Sequence, residues 1–416
     1  MTYQKSVLIL GASSLQVPLI QFVKEKGYYV IVVSIPGDYP GFALANKVIN
    51  IDVRDADSIY EAVKDYNIVS VLTDETDISV PTVAVLSQKL GLSGNDPKIA
   101  SIYSNKFLMR ETCKKLHISV PNYIQLSDCN NIEKIYCGIC FPAMMKPEDN
   151  QGSRGIFKVN SYDDIKQHFD ESMSFSKTGN VIIEDFFEGK EVVCEGFVIN
   201  GEYLNWGFGD RKYFNVEDTF IPCQTLFPSL LSKDIKEKLL LAEKRIHKEL
   251  KPSFGMVHSE YLYDETTKEY ILVEIALRGG GVYISSHLIP YYTGFNNYEL
   301  LFSCSLGNYH NLSEVSSMIH PMSSGYVCFT LPEGNIISIE GIDELKNIPE
   351  VKLVDLDGLY VGMHTKKMIN KTMRMGPIII AASNREELNM CVKKVKERLK
   401  INVRCVDNTV KGIVWE

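Results

Sequence analysis

Val7-Leu8-Ile9-Leu10 is an apolar run that stops at Gly11; a helical spacing of apolar residues follows (Leu15, Leu19, Ile20, Val23), and a second run resumes beyond Gly27 at Val30 to Val33. That is strand, helix, strand. The alternation recurs, with strands at Val48 to Ile51 and Val69 to Thr73 and helices over Ala56 to Lys64 and Val80 to Leu90. Short β-runs separated by helices predict a parallel, doubly wound sheet. In the turn Gly11-Ala12-Ser13-Ser14, Ser13 and Gln16 stand where G-x-G-x-x-G needs its second and third glycines, which argues against a nicotinamide dinucleotide. The backbone N–H groups of such a turn could still meet a substrate anion.

The 416 residues exceed what one hydrophobic core organises, so two or three packed units are expected. With 45% hydrophobic and 23% charged residues the composition is that of an ordinary globular protein. A formal net charge of -8 argues against nucleic acid as principal partner, so any phosphate site must be built locally. Ten cysteines without regular spacing fit a reducing cytosol. Cys137 and Cys140 have the C-x-x-C spacing but no second pair nearby, and read as small hydrophobes rather than a zinc or redox pair. The first apolar run is too short for a signal peptide and no stretch approaches a membrane span, so the expectation is a cytoplasmic protein with no membrane partner.

From about Ser101 the texture changes. A helix is predicted over Lys106 to Leu116, strands at Tyr123 to Leu126 and Phe141 to Pro147, a polar turn Asn150-Gln151-Gly152-Ser153-Arg154-Gly155 and a strand at Ile156 to Val159. Together the last three make a hairpin with a turn built to move. Strands Glu191 to Ile199 and Tyr203 to Phe208 flank Asn200-Gly201, a strong hairpin signal; Asp210-Arg211-Lys212 follows, either a surface turn or a place for a substrate carboxylate on Arg211. A long amphipathic helix (Asp234 to Leu250), a hairpin (Gly255 to Ala276), the cluster Gly279-Gly280-Gly281 and a closing helix (Arg385 to Lys400) complete the pattern.

The Gly255 to Ala276 hairpin carries the chemistry. Its strands flank Asp264-Glu265-Thr266-Thr267-Lys268, so residues whose numbers sum to about 534 lie opposite each other, among them Glu260 and Glu274. Cross-strand carboxylates repel unless a cation lies between them, and Mg2+ favours one or two carboxylates plus phosphate oxygens; an exposed pair on a solvated face is the alternative. Beyond Glu274 come Ala276, Arg278 and the glycines, which bring a guanidinium and backbone donors to the same place. Lys146 before a glycine turn can clamp a polyphosphate, or be a strand-end charge; Lys106 is equally ambiguous alone. The connector Glu184-Asp185-Phe186-Phe187-Glu188-Gly189-Lys190-Glu191 offers exposed backbone to an adenine edge and carboxylates to its amine and ribose, though by composition alone it is a β-turn. Asp74 and Glu75, at a strand end, could face an amine; Tyr283, Ser285, Ser286 and His287 could line an acceptor pocket.

This ordered set, from Lys106 through Lys146-Pro147 with its Gly-Ser-Arg-Gly turn, Glu184 to Glu191, Gly255 to Glu260 and Val273 to Gly281, resembles the ATP-grasp superfamily, in particular its carboxylate–amine ligases and their biotin-carboxylase-like relatives. The resemblance implies mixed α/β and α+β architecture in three parts: an N-terminal Rossmann-like parallel-sheet domain (1–105), a small lid domain (106–190), and a large domain with a C-terminal antiparallel-sheet lobe (191–416). It implies Lys106 and Lys146 at the nucleotide phosphates, Gly152, Ser153 and Gly155 in the lid, Glu184 and Phe187 at adenine and Glu191 at ribose. Glu260 and Glu274 would bind Mg2+, with Mn2+ as an alternative, and Arg278, with Lys146, would steady the transferred phosphate beside Gly280 and Gly281. One position departs from the pattern: Ala276 stands where a third ligand, Asn, is usual, leaving His258, which the register puts opposite, or a water to fill the gap.

The reaction implied is transfer of the ATP γ-phosphoryl group to a small carboxylate, an amino acid for instance, followed by attack of an amine on the acyl phosphate. Two other readings stay open: a bicarbonate-dependent carboxylase of an amine, and a nucleotide-binding regulatory protein without turnover. Partners are small molecules and, in assembly, a homodimer.

Overall fold

The computed structural model describes residues 4–130, 132, 138–216, 220–309 and 322–416; Cys137 lies outside them, and Cys140 is exposed, not the small buried hydrophobe expected. The first sheet comprises β1 (Ser6–Leu10), β2 (Tyr29–Ser34), β3 (Lys47–Asn50) and β4 (Ile68–Leu72), parallel throughout and ordered β3-β2-β1-β4. Every residue of β1 is buried, which explains a run with no polar alternation. No helix among the described residues is long and apolar enough to cross a membrane.

A second sheet, β5 (Tyr123–Leu126), β6 (Ala143–Pro147), β7 (Phe157–Val159) and β8 (Val181–Asp185), has the order β5-β8-β6-β7 and packs on the helix Tyr162–Ser174 through Ile165 and Phe169. β6 and β7 form the expected hairpin, and in the turn between them Gly152, Ser153 and Gly155 take φ values of 79°, 57° and 71°. Left-handed backbone is open to glycine, so the turn's composition follows from its path.

The remaining strands are β9 (Lys190–Ile199), β10 (Glu202–Tyr213), β11 (Pro222–Phe227), β12 (Phe254–Tyr263), β13 (Tyr270–Ala276), β14 (Ser323–Phe329), β15 (Gly334–Glu340), β16 (Val351–Val354), β17 (His364–Thr365), β18 (Met375–Ala382), β19 (Lys400–Cys405) and β20 (Val410–Lys411). Eight of them form one sheet, β13-β12-β9-β10-β11-β14-β18-β16, and the rest a smaller one, β17-β15-β19-β20. β10 runs further than expected. Asp210-Arg211-Lys212 is no surface turn but the end of that strand, paired with β11 from Leu226 to Gln224.

Two-residue alternation divides the large sheet. Val192, Cys194 and Val198 of β9 and Val257, Tyr261 and Tyr263 of β12 face a core shared with the helix Lys233–Leu250. Val193, Phe197 and Met256 face the opposite way and join Val7, Ile9, Leu19 and Val32 in a single core, so the N-terminal unit is packed onto the sheet. The positions of this second face that no apolar neighbour covers carry Glu191, Glu195, Arg211, His258, Glu260 and Glu274.

The small sheet is tied to the large one through Arg110, fully buried in the helix Lys106–Lys115. Its Nε donates to Glu184 Oε1 at 2.6 Å in β8, and its Nη2 donates to the Val273 carbonyl at 2.7 Å in β13. Lys146 Nζ meets the other Glu184 oxygen at 2.5 Å. Burial alone would raise the Glu184 carboxyl, but Arg110 and Lys146 reverse this and bring it from 4.5 to about 2. The stabilisation is therefore complete above 4.5 and lost as pH falls towards 2. Arg110→Met is expected to cost roughly 1–3 kcal/mol in urea unfolding at neutral pH, because it leaves Glu184 to Lys146 alone and the Val273 carbonyl without its donor; an unchanged stability would contradict this role.

Candidate active site

Between the small sheet and the eight-stranded sheet lies a cleft of about 640 Å³. Met144, Ile156, Phe187, Leu262, Ile271 and Val273 give it apolar walls, and the backbone of Asp185 to Gly189 forms its rim. A flat apolar slot edged by backbone polar groups suits a purine ring. Lys106 and Lys146 lie deeper, with Gly152 and Ser153 on the lid side. Lys106 Nζ is 3.0 Å from Glu274 Oε1 and donates to the Asn150 carbonyl at 2.9 Å. Burial pulls both lysines down; the Glu274 charge more than compensates at Lys106, which stays above its usual value, whereas Lys146 remains below despite Glu184.

Three expected positions differ in task. Glu184 is not placed to take an adenine amine, because Arg110 and Lys146 occupy both of its oxygens. Glu191 has one oxygen 2.7 Å from Arg211 Nη1, so a ribose would meet a carboxylate already engaged. Gly155 lines neither cavity: a Cβ there would come within 2.8 Å of Phe175, so packing accounts for this glycine.

Glu260 and Glu274 are direct partners across β12 and β13, and His258 is the partner of Ala276. A bulge follows Glu260, so Tyr261 pairs with Leu272. Glu260 Oε1 is bound by Arg211 Nη1 and lies 3.2 Å from His258 Nε2. The other ring nitrogen of His258 is bonded to Glu195. Burial would lower His258, but Glu195 and Glu260 hold it above its ordinary value. Its Nε2 lies beside Glu260 and Arg211, opposite Ala276 in the register. Burial would also raise Glu260, yet Arg211 and His258 hold it well below the usual range, while burial and the Glu260 charge push Glu191 up to about 7 against Arg211.

The second oxygen of Glu260 and of Glu274 makes no hydrogen bond or ion pair among the described residues. No group of three or more metal-ligating side chains occurs there either. Two carboxylates with open oxygens, side by side on a cleft, fit Mg2+ whose remaining ligands are phosphate oxygens and water.

A second cavity of about 530 Å³ opens on the far side of this pair, and the two share Gln151, Gly152, Glu260, Glu274 and Lys371. Arg278 reaches it from the end of β13, held by Asp77 through Nε at 2.8 Å and Nη2 at 2.9 Å. Arg211 also lines it, but its pairs with Glu191 and Glu260 make it a clamp on those carboxylates, not an open seat for a substrate.

The glycine cluster is less open than expected. The Gly279 N–H donates to Asp74 at 3.1 Å and the Gly280 N–H to Glu195 at 3.3 Å, leaving Gly281 facing the cavity. Asp74 is buried and also accepts from Ser285 Oγ at 2.6 Å and Tyr298 OH at 2.8 Å, so it fastens the loop and does not face an amine. Glu75 accepts from the Tyr283 N–H at 3.0 Å and Ser286 Oγ at 3.2 Å. Burial and the neighbouring Asp74 push its carboxyl well above the usual range. Glu75, Val282 and Tyr283 all have left-handed φ (55°, 62° and 58°), and a one-turn π-helix, Ile284–Leu288, follows. Such conformations concentrate where a loop must present groups to a ligand.

Arg110, Asp77, Glu195, Gln151 and Lys371 were not singled out by sequence reasoning. Lys106, Met109, Arg110 and Cys113 form the buried stripe of one helix, so Arg110 had a signal, a charge on an apolar face one turn from Lys106. Lys371 had none.

Comparison with known proteins agrees with this geometry. Residues 139–286 match the family model of the ATP-grasp domain. An uncharacterized protein, y4rH, of Sinorhizobium fredii is 22% identical over 81% of the chain and 68% of its own length. An L-arginine-specific L-amino acid ligase of Bacillus subtilis is 23% identical over 69% of the chain and 70% of its own length. The crystal structure of an L-amino acid ligase from Bacillus licheniformis superimposes with a TM-score of 0.79 at 18% identity, covering 96% of this chain and 99% of that one, a likeness of fold. Residues 139–286 thus carry an ATP-grasp domain, and the proteins the chain is similar to include ATP-dependent carboxylate–amine ligases.

Proposed function

We propose that this enzyme phosphorylates a small organic carboxylate, an amino acid in the leading case, and joins the acyl phosphate to an amine, releasing ADP and phosphate. The observation that carries the reading is the meeting of two cavities at Glu260 and Glu274: one has an apolar slot edged by backbone polar groups, and the other is lined by Arg154, Arg278 and Arg374. A volume of about 530 Å³ has room for an organic carboxylate together with an amine. The domain division at 1–105, 106–190 and 191–416, a homodimeric assembly and a cytoplasmic setting belong to the same proposal.

The roles follow from placement. The backbone of the Asp185 to Gly189 rim and Phe187 hold adenine, Glu191 stands nearest the ribose, and Lys106 and Lys146 meet the phosphates. Glu260 and Glu274 would hold Mg2+ or Mn2+, which supplies charge neutralisation at the phosphates. A carboxylate oxygen bonds to the γ-phosphorus while the bond to the bridging oxygen breaks and its electron pair leaves with ADP. Arg278 lies on the side from which that carboxylate enters. The amine nitrogen then bonds to the acyl carbon, phosphate departs with the C–O electron pair, and the nitrogen loses a proton to solvent or phosphate. Gly152 and Ser153 close over the junction and keep water from the acyl phosphate. Positioning and charge suffice, so no Ser-His-Asp or Cys-His set is required.

An ADP-release screen over amino acids, hydroxy acids and bicarbonate with pooled amines should show turnover with an organic carboxylate; release with bicarbonate alone would favour carboxylation instead. Glu274→Gln should reduce substrate-dependent ADP release at least about 100-fold at unchanged melting temperature, and wild-type rates in that variant would overturn the metal assignment. Lys146→Ala should weaken nucleotide binding about tenfold or more in calorimetric titration; unchanged affinity would place the phosphates elsewhere.

A further inference from the structure

We infer that Lys371, a residue of the C-terminal lobe, is a catalytic residue whose ammonium pairs with the γ-phosphoryl oxygens while that group passes from ADP to the substrate carboxylate. The inference rests on the ligase reading above. Lys371 opens a one-turn 3-10 helix, Lys371–Met373, between β17 and β18. Asn370 fixes that turn by accepting from the Thr372 N–H at 3.0 Å and from Thr372 Oγ1 at 2.6 Å. Of the side chains at the junction of the two cavities, those of Glu260 and Glu274 are the anions and that of Lys371 the cation.

What distinguishes Lys371 is its lack of a commitment. It makes no hydrogen bond or ion pair among the described residues. Its cationic neighbours are taken: Lys106 by Glu274, Lys146 by Glu184, Arg211 by Glu191 and Glu260, and Arg278 by Asp77. Arg374 donates to the Pro222 carbonyl at 2.9 Å. An ammonium held near two carboxylates and left without a partner is placed for an anion that arrives with a ligand. The charges acting on it are those of Glu260, Arg211, Glu274 and Arg374, so it belongs electrostatically to the proposed metal site.

The chemistry at this junction suits a compact cation. As the γ-phosphorus leaves the bridging oxygen for the carboxylate oxygen, its three equatorial oxygens keep their negative charge, and an ammonium with three donors can follow them without giving up its proton. Glu260 and Glu274 come from the large sheet, and Lys106 and Lys146 line the nucleotide cleft; Lys371 adds its charge from the C-terminal lobe. No proton moves to or from it, so the electron and proton count of the transfer is unchanged.

The test is calorimetric titration of the full chain with the non-hydrolysable ATP analogue AMPPNP and with ADP, both with Mg2+. Lys371→Met is expected to lose at least about tenfold in AMPPNP affinity and less than about twofold in ADP affinity, and Lys371→Arg to recover most of the loss. In turnover, kcat should fall at least about 100-fold while the KM of the carboxylate stays within twofold. Equal losses for both nucleotides, no loss for either, or a rise confined to the carboxylate KM would overturn the inference; the last would make Lys371 an acceptor-binding residue. Melting curves of both variants separate these results from misfolding. If the wild-type chain releases no ADP with any carboxylate the ligase reading fails, whereas the difference between AMPPNP and ADP is read without turnover.

Discussion

Two carboxylates facing each other across neighbouring strands are the constraint around which this molecule is arranged. Glu260 and Glu274 sit on a half-covered sheet face where their repulsion is poorly screened, and neither leaves that face without shifting the register of the hairpin. The surroundings answer the charge locally. Arg211 comes from β10, His258 from two positions back on β12, and Lys106 from the helix that enters the lid. Each of these groups is itself shared with another acid or with a backbone carbonyl, so the centre is a network in which Glu191, Glu195 and Glu260 share Arg211 and His258. The residual negative charge is what a divalent ion would neutralise.

The same network joins the loop after β13 to the large sheet. Glu195 holds His258 with one oxygen and the Gly280 N–H with the other, so the loop that presents Arg278 to the second cavity shares a carboxylate with the metal-facing strand. Asp74 and Glu75, at the end of the first sheet, fasten the far side of that loop. The N-terminal unit thus takes part in the site by bracing it and by lining the second cavity with Ser13 and Ser14. Chemistry that relies on positioning and charge requires such rigidity.

Much of this was legible in the sequence where a feature was local. The first sheet could be read because both faces of its strands are buried, leaving continuous apolar runs. The register of Glu260 with Glu274 followed from counting outward from a polar turn, although the bulge at Tyr261 left no trace in the residue pattern. What escaped was non-local. Asp210-Arg211-Lys212 looks like a turn, because nothing nearby shows that Glu191 and Glu260 wait to neutralise Arg211. The glycine cluster looks like a row of open donors, because the acceptor of the Gly279 N–H is 205 positions away. Lys371 is one lysine among many until the C-terminal lobe folds over the cleft.

The account turns on a divalent ion lying between Glu260 and Glu274. Anomalous diffraction from crystals grown with Mn2+ and AMPPNP reads that directly. A manganese peak bridging both carboxylates and the phosphate oxygens is the expected result, and a nucleotide bound in the cleft with its manganese away from either glutamate would contradict it.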